Sequence, residues 1–174
     1  MRQLRSHGVT RERDLMTQVS EGDWYYQQID LGFNYRMTEL QAALGVSQMR
    51  HLEAFVAKRH QLAQRYFSEL ADLPIVLPYQ SKDSHSSLHL FPIQLAENHS
   101  RKWIFNQLRE QGVGVNVHYI PVHTQPYYQN LGFKIGDYPN AEHYYQNAIS
   151  IPLHQGLSDD EQSFVIKTLR SLLA

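Results

Sequence analysis

The run "ELQAALGVSQMRHLEAFVAKRHQLAQRYFSEL", residues 39–70, decides how the rest of this chain is read. Its apolar residues recur at intervals of three and four: Leu40, Ala43 and Leu44, then Leu52, Phe55 and Val56 with Arg59. That is the period of a helix with one buried stripe. Thr38 precedes the run and Gln41 follows three positions on, the form of a capping box that satisfies amide donors left open at a helix start. Pro74 lies past the far end, where a helix cannot continue. The run is one unusually long helix, or two with a break near His51. Gly45 inside it costs helix stability, and close packing is the expected compensation.

The 36 residues before the run lack a sustained period and read as irregular. After it, "IVLP" (75–78) and "SSLHLFPIQL" (86–95) have strand character, and "SRKWIFNQLREQG" (100–112) reads as a helix closed by Gly112. "VGVNVHYI" (113–120) alternates as a strand would, with Val113, Val115, Val117 and Tyr119 on one face and Asn116, His118 and Ile120 on the other. Asp137 and Pro139 open another helical segment, and Ser158 with Glu161 caps a last one, "DEQSFVIKTLRSLL" (160–173). Long helix, strand, strand, helix, strand, helix, helix is an α+β layer and not a doubly wound sheet.

With 174 residues the chain is long enough for a substantial core. Sixteen basic residues stand against 17 acidic ones, a formal net charge of −1, so nothing proposes nucleic acid or an anionic membrane surface as the main partner. There is no cysteine, which excludes a disulfide framework, a thiolate metal site and a cysteine nucleophile. The opening "MRQLRSHGVT" has no apolar core of a signal peptide, and no stretch has the length of a membrane span. A cytoplasmic protein is expected. Eleven tyrosines cluster in "DWYYQQ", "QPYYQNLGF" and "AEHYYQ"; a ring with a hydroxyl suits a sugar-like ligand, an interface or an amphipathic core rim.

In "VNVHYIPVHTQPYY" (115–128), His118 and His123 invite a metal reading. Their separation of five puts them on one face of neither a helix nor a strand. No HExxH pair occurs, and acidic residues do not fall at ligand spacing from histidine, so a metal hydrolase has only the ten histidines in its favour and no metal is expected.

"LGFNYRMTELQAALGVSQMRHLE" (31–53), "HLFPIQL" (89–95), "VHYIPVH" (117–123) and "ISIPLHQGLS" (149–158), in this order and spacing, resemble the carboxy-terminal half of the DegT/StrS family of sugar aminotransferases over nearly the whole chain. The four blocks together are specific; any one alone is weak. The resemblance implies the aspartate-aminotransferase-like, type I pyridoxal-phosphate (PLP) fold. Residues 1–36 would be a remnant of the large cofactor-binding domain and its connecting loop, 37–72 a long interdomain helix, and 73–174 the small α+β domain, a short antiparallel sheet covered by helices. It implies a homodimer with each active site at the subunit boundary, PLP as cofactor, and transfer of an amino group from glutamate to a nucleotide-linked keto-sugar, as in surface-polysaccharide or pseudaminic acid biosynthesis.

On the same resemblance, Asn34 in "GFNYRM" occupies the position that reaches across the dimer to the cofactor phosphate of the neighbouring subunit. Read without it, Asn34 is an ordinary turn asparagine. Arg36 is a candidate substrate contact, pairing with phosphate or fixing its loop through a carboxylate. His118 and Tyr119 match the strand and turn facing the active-site mouth and are expected to contact the sugar nucleotide, both being able to donate and accept hydrogen bonds. His123 reads as a turn residue, and His89 and His154 as satisfied core histidines.

The chemistry of such enzymes needs a lysine that forms a Schiff base with the cofactor. In the family it lies upstream of the segment that resembles "LRSHG" (4–8), so the chain reads as a fragment, expected to be inactive alone. Lys58 and Lys102 lie in charged helical contexts, Lys82 in a polar turn, Lys134 in a loop and Lys167 on the final helix, none with the desolvated surroundings that lower an amine's pKa. A non-catalytic sugar-nucleotide-binding or dimerisation module is the alternative. The apolar stripe and the tyrosines near Tyr25 predict self-association to a dimer or larger. Borohydride reduction of the chain with PLP, followed by mass analysis, is predicted to show no stoichiometric cofactor on any one lysine; such an adduct would contradict the expectation.

Overall fold

The computed structural model describes residues 1–173, which form two compact units, Met1–His51 and a second beginning at Leu52. In the first unit β1 (Val9–Thr10) pairs antiparallel with β2 (Gln27–Gln28), and a turn of 3-10 helix (Arg13–Leu15) lies in the loop between them. Residues 4–7 run against residues 33–35: Phe33 N–H donates to Leu4 O (2.6 Å), His7 N–H to Phe33 O (2.9 Å) and Tyr35 N–H to Arg5 O (2.9 Å). Gly8 makes this crossing possible. Its φ is +70°, and a Cβ there would meet Asp30 O at 1.9 Å.

The unit ends in α1 (Glu39–Met49), started by the expected capping box: Gln41 N–H donates to Thr38 Oγ1 (3.3 Å) and Thr38 N–H to Gln41 Oε1 (3.0 Å). The apolar stripe of α1 is not buried. Leu40 is 82% exposed, Leu44 is exposed, and no α1 residue is buried. Nor does Gly45 pack closely, since a Cβ there would meet nothing within 4 Å. Periodicity fixes which face is apolar; a partner element has to cover it, and here none does.

The 39–70 run is two helices, because α2 (Leu52–Glu69) starts afresh after Arg50 and His51. α2 buries Leu62, Ala63 and Tyr66, with Leu70 one turn on. These pack with a three-stranded antiparallel sheet, order β3 (Ile75–Val76), β4 (Phe91–Leu95), β5 (Ala148–Ile151), and with α3 (Arg101–Glu110) and α6 (Asp159–Leu173) in one core. α4 (Pro126–Asn130) and α5 (Pro139–Asn147) start on prolines at their first turns. The α+β architecture is as expected.

β4 alternates, with Phe91, Ile93 and Leu95 buried. Pro92 sits in it without a lost ladder bond, since it faces Ser150, whose N–H and C=O are both exchanged with Asn116 on the other side (2.8 and 3.2 Å). β5 is buried at all four positions and escaped the strand reading because a short apolar run carries no alternation. Conversely, "VGVNVHYI" buries Val113 and Val115 but makes only the single Asn116–Ser150 bridge. Asn116 Oδ1 takes the Val117 N–H (2.8 Å), so the next amide is satisfied locally and the ladder stops. His89 and His154 are exposed, not core, because each lies just outside a strand's buried register.

Hydrogen bonds from several side chains fix α2 to the carboxy-terminal elements. Tyr66 is fully buried and its hydroxyl donates to Pro152 O (2.9 Å), burial pushing its pKa up. Gln162 Nε2 donates to Leu62 O (2.7 Å), and Arg65 donates to Asp159 O (3.0 Å) and Ser163 Oγ (2.8 Å). Tyr66→Phe keeps the packing against Phe91 and strands a carbonyl, so it is predicted to lower unfolding free energy by about 1–3 kcal/mol. Urea denaturation checks this; an unchanged midpoint would contradict it.

Candidate functional site

His118 is held by the strand beside it. Its Nδ1 lies 2.8 Å from Ser150 Oγ, and its Nε2 lies 3.4 Å from Asn116 Nδ2. The Asn116 carbonyl oxygen is committed to the Val117 N–H, so its amide NH2 faces the imidazole. An NH2 only donates. Nε2 is therefore the acceptor, and Nδ1 carries the proton and donates to Ser150 Oγ. The ring meets Tyr119 edge-on at 4.7 Å, across a cis peptide bond, and Tyr119 is 70% exposed. An oriented imidazole beside an accessible phenol is a hydrogen-bonding platform open to solvent. Ser150, 6% exposed, was not singled out from the sequence, although a hydroxyl inside the apolar "AISI" needs a partner and so signals one.

His123 is a turn residue, and a buried one. It lies in a 3-10 turn (Val122–Thr124), is 7% exposed, and its Nε2 donates to Glu142 Oε1 (2.8 Å) while its ring leans on Tyr138 (4.8 Å). The same carboxylate oxygen accepts the Gly136 N–H (2.7 Å). The two imidazoles of "HYIPVH" are thus committed to different partners. Among the described residues, no group of three or more His, Cys, Asp or Glu is placed to hold a metal ion, and no helix is long and apolar enough to cross a membrane.

Asn34 and Arg36 belong to the first unit. Asn34 is exposed, its backbone bridges Ser6, and its side-chain amide makes no hydrogen bond among the described residues. Arg36 lines a cleft of about 390 Å³ with His7, Arg11 and Tyr26, and no acidic side chain lines it. This gathering of Arg11 with Arg36 is invisible in the sequence; the β1–β2 hairpin creates it.

The fold these elements build is the α+β part of the type I, aspartate-aminotransferase-like class. Residues 1–170 match the DegT/DnrJ/EryC1/StrS aminotransferase family, and the chain belongs to it. Similar curated proteins are an uncharacterized protein, MJ1066, of Methanocaldococcus jannaschii (32% identical, 98% of this chain and 45% of that protein) and the UDP-4-amino-4,6-dideoxy-N-acetyl-beta-L-altrosamine transaminase of Campylobacter jejuni (34%, 98% and 43%). Among solved structures, Spr1654 of Streptococcus pneumoniae in its PLP form superposes with a TM-score of 0.84 at 30% identity over 98% of this chain and 42% of that one. Helicobacter pylori PseC, an aminotransferase involved in the biosynthesis of pseudoaminic acid, gives 0.83 at 26% over 99% and 44%. The chain spans less than half the length of these relatives.

The hydrogen bond from His123, and then that from the Gly136 N–H, hold the Glu142 carboxyl below its usual pKa. The unfolded chain therefore takes up this proton at higher pH than the folded one. The resulting stability is present above the ordinary glutamate range and is lost as pH falls through it toward the folded value. Glu142→Gln keeps an acceptor and removes the charge, so its stability is predicted to fall less steeply below about pH 5 than the parent's. Urea midpoints against pH read this; parallel acid limbs would contradict it.

Proposed function

We propose that this chain is the part of a PLP-dependent aminotransferase that contacts a nucleotide-linked keto-sugar and, across a homodimer, the cofactor phosphate, with glutamate as amino donor. The observation that carries the reading is the aimed His118, fixed by Ser150 and Asn116 beside exposed Tyr119, in a chain of this family. Tyr119 offers its exposed hydroxyl to the sugar, and His118 offers Nε2 once a sugar hydroxyl displaces its long, 3.4 Å contact with Asn116. Relatives named for UDP-sugar transamination and for spore coat polysaccharide biosynthesis support this substrate class.

The residues present fit the phosphate end of PLP. Asn34 offers it a free amide, and the Arg36 cleft, with cationic donors and no competing acid, suits a phosphate of the nucleotide substrate. Bound PLP supplies an electron sink for a carbanion next to nitrogen. The lysine that such chemistry requires is not offered by this chain: Lys58 pairs with Asp159 (3.3 Å), and Lys82, Lys102, Lys134 and Lys167 are exposed. Residues 1–174 alone are therefore proposed not to transaminate. The same reading takes residues 1–36 as a remnant of the large cofactor-binding domain and its connecting loop, 37–72 as the interdomain helical segment and 73–174 as the small domain.

In a transaminating enzyme containing this sequence, His118→Ala is predicted to lower sugar-nucleotide turnover by about 0.5–1.5 kcal/mol in transition-state stabilisation while the cofactor stays bound. Asn34→Ala is predicted to loosen the cofactor before it affects the sugar. Steady-state kinetics with cofactor titration separates the two; a His118→Ala enzyme that loses cofactor and keeps its sugar kinetics would overturn the assignment.

A further inference from the structure

Immediately after the His118–Tyr119 platform, the chain builds a second hollow that the sugar contacts do not use. It measures about 320 Å³ and is lined by Pro121, Val122, His123, Tyr128, Phe133 and Tyr138. We propose that this hollow takes the nucleobase of the nucleotide-linked substrate, a proposal that rests on the sugar-nucleotide reading of His118 and Tyr119.

Four observations carry it. The walls are a chain of rings in mutual contact: His123 to Tyr138 at 4.8 Å, Tyr138 to Phe133 at 6.4 Å, Phe133 to Tyr128 at 6.4 Å. Those rings are not spent on the core, since Tyr128, Phe133 and Tyr138 are 37%, 38% and 50% exposed and keep surface for a flat ligand. The loop that carries them is held in place by carboxylates. Asp137 Oδ2 accepts the Lys134 N–H (2.7 Å) and Glu142 Oε1 accepts the Gly136 N–H (2.7 Å), so the rings are preorganised for stacking. Finally, the hollow has an imidazole acceptor beside its tyrosine hydroxyls. His123 donates from Nε2 to Glu142, which leaves Nδ1 an acceptor with no hydrogen bond among the described residues.

Aromatic faces edged by an imidazole acceptor and two tyrosine hydroxyls suit a planar heterocycle that has an N–H on its edge. A nucleobase has that form, and base–aromatic stacking tolerates any base because each has a π-face. A phosphate does not fit, since no Lys or Arg lines the hollow. Pro121 lies two residues beyond Tyr119, so one ligand with its sugar at the platform and its base at the hollow follows a single stretch of chain.

The test is saturation-transfer NMR on the 174-residue chain with uridine 5′-monophosphate, adenosine 5′-monophosphate and ribose 5-phosphate as separate probes. The proposal expects transfer strongest at the base protons of the nucleotides and none for ribose 5-phosphate. Phe133→Ala should weaken nucleotide binding at least about fivefold. Ala141→Phe, at an exposed position on the same rim, fills the hollow without touching the core and should do the same. Lys167→Ala, at an exposed position of α6, should leave the base signal intact. Equal binding of ribose 5-phosphate and nucleotide, or unchanged binding in folded Ala141→Phe, overturns the base site and leaves the sugar reading standing. Base binding without any effect of His118→Ala on sugar turnover in the complete enzyme would retain the base site and sink the sugar reading.

Discussion

β5 is hydrogen-bonded along both edges, and the second unit depends on it. Toward β4 it pairs through Ile149 and Ile151, buried against Ile93 and Phe91. On its other edge Ser150 exchanges two bonds with Asn116. All four of its side chains are buried, so a shift in register would put Ser150 where an isoleucine packs and would leave a hydroxyl unpaired. The same constraint that fixes the core therefore aims His118, because the hydroxyl that needs a partner finds it in that imidazole.

The two histidines of "VHYIPVH" show how one short segment serves two ends. His118 is half-buried and bound to neutral groups, which orient it without giving it a charge partner. His123, five residues on, sits against a carboxylate that also fastens the Gly136 turn. One ring is fixed by its own strand neighbours, and the other braces a loop through Nε2 while its Nδ1 makes no hydrogen bond among the described residues. Their odd spacing, which fits neither a helix face nor a strand face, follows from the turn at Pro121 that sends them to different partners.

Much of this was legible in the sequence where the signal is local. The capping boxes at Thr38 and Ser158, the stripe of α2 and the strand in "FPIQL" all follow from neighbours a few residues apart. What stayed hidden depends on partners far along the chain. The four buried residues of β5 carry no period, "VGVNVHYI" alternates but stops pairing after one bridge, and His123 is a turn residue whose burial shows only once Glu142 is brought to it. The stripe of α1 is apolar and exposed, as a patch left without a packing partner would be, since periodicity marks the face but cannot say whether a covering element is present. Of the candidate site, His118 and Tyr119 were recoverable from a family-like motif, whereas Ser150 needed the fold.

The claim at the centre is that β5, through Ser150, sets the proton position and aim of His118. Nitrogen-15 NMR of the histidine rings, recorded at a pH where the imidazole is neutral, tests this most directly. The account predicts that His118 carries its proton on Nδ1 in the parent chain and loses that preference in Ser150→Ala. A His118 protonated on Nε2 in the parent, or a tautomer indifferent to Ser150→Ala in a folded chain, would contradict it.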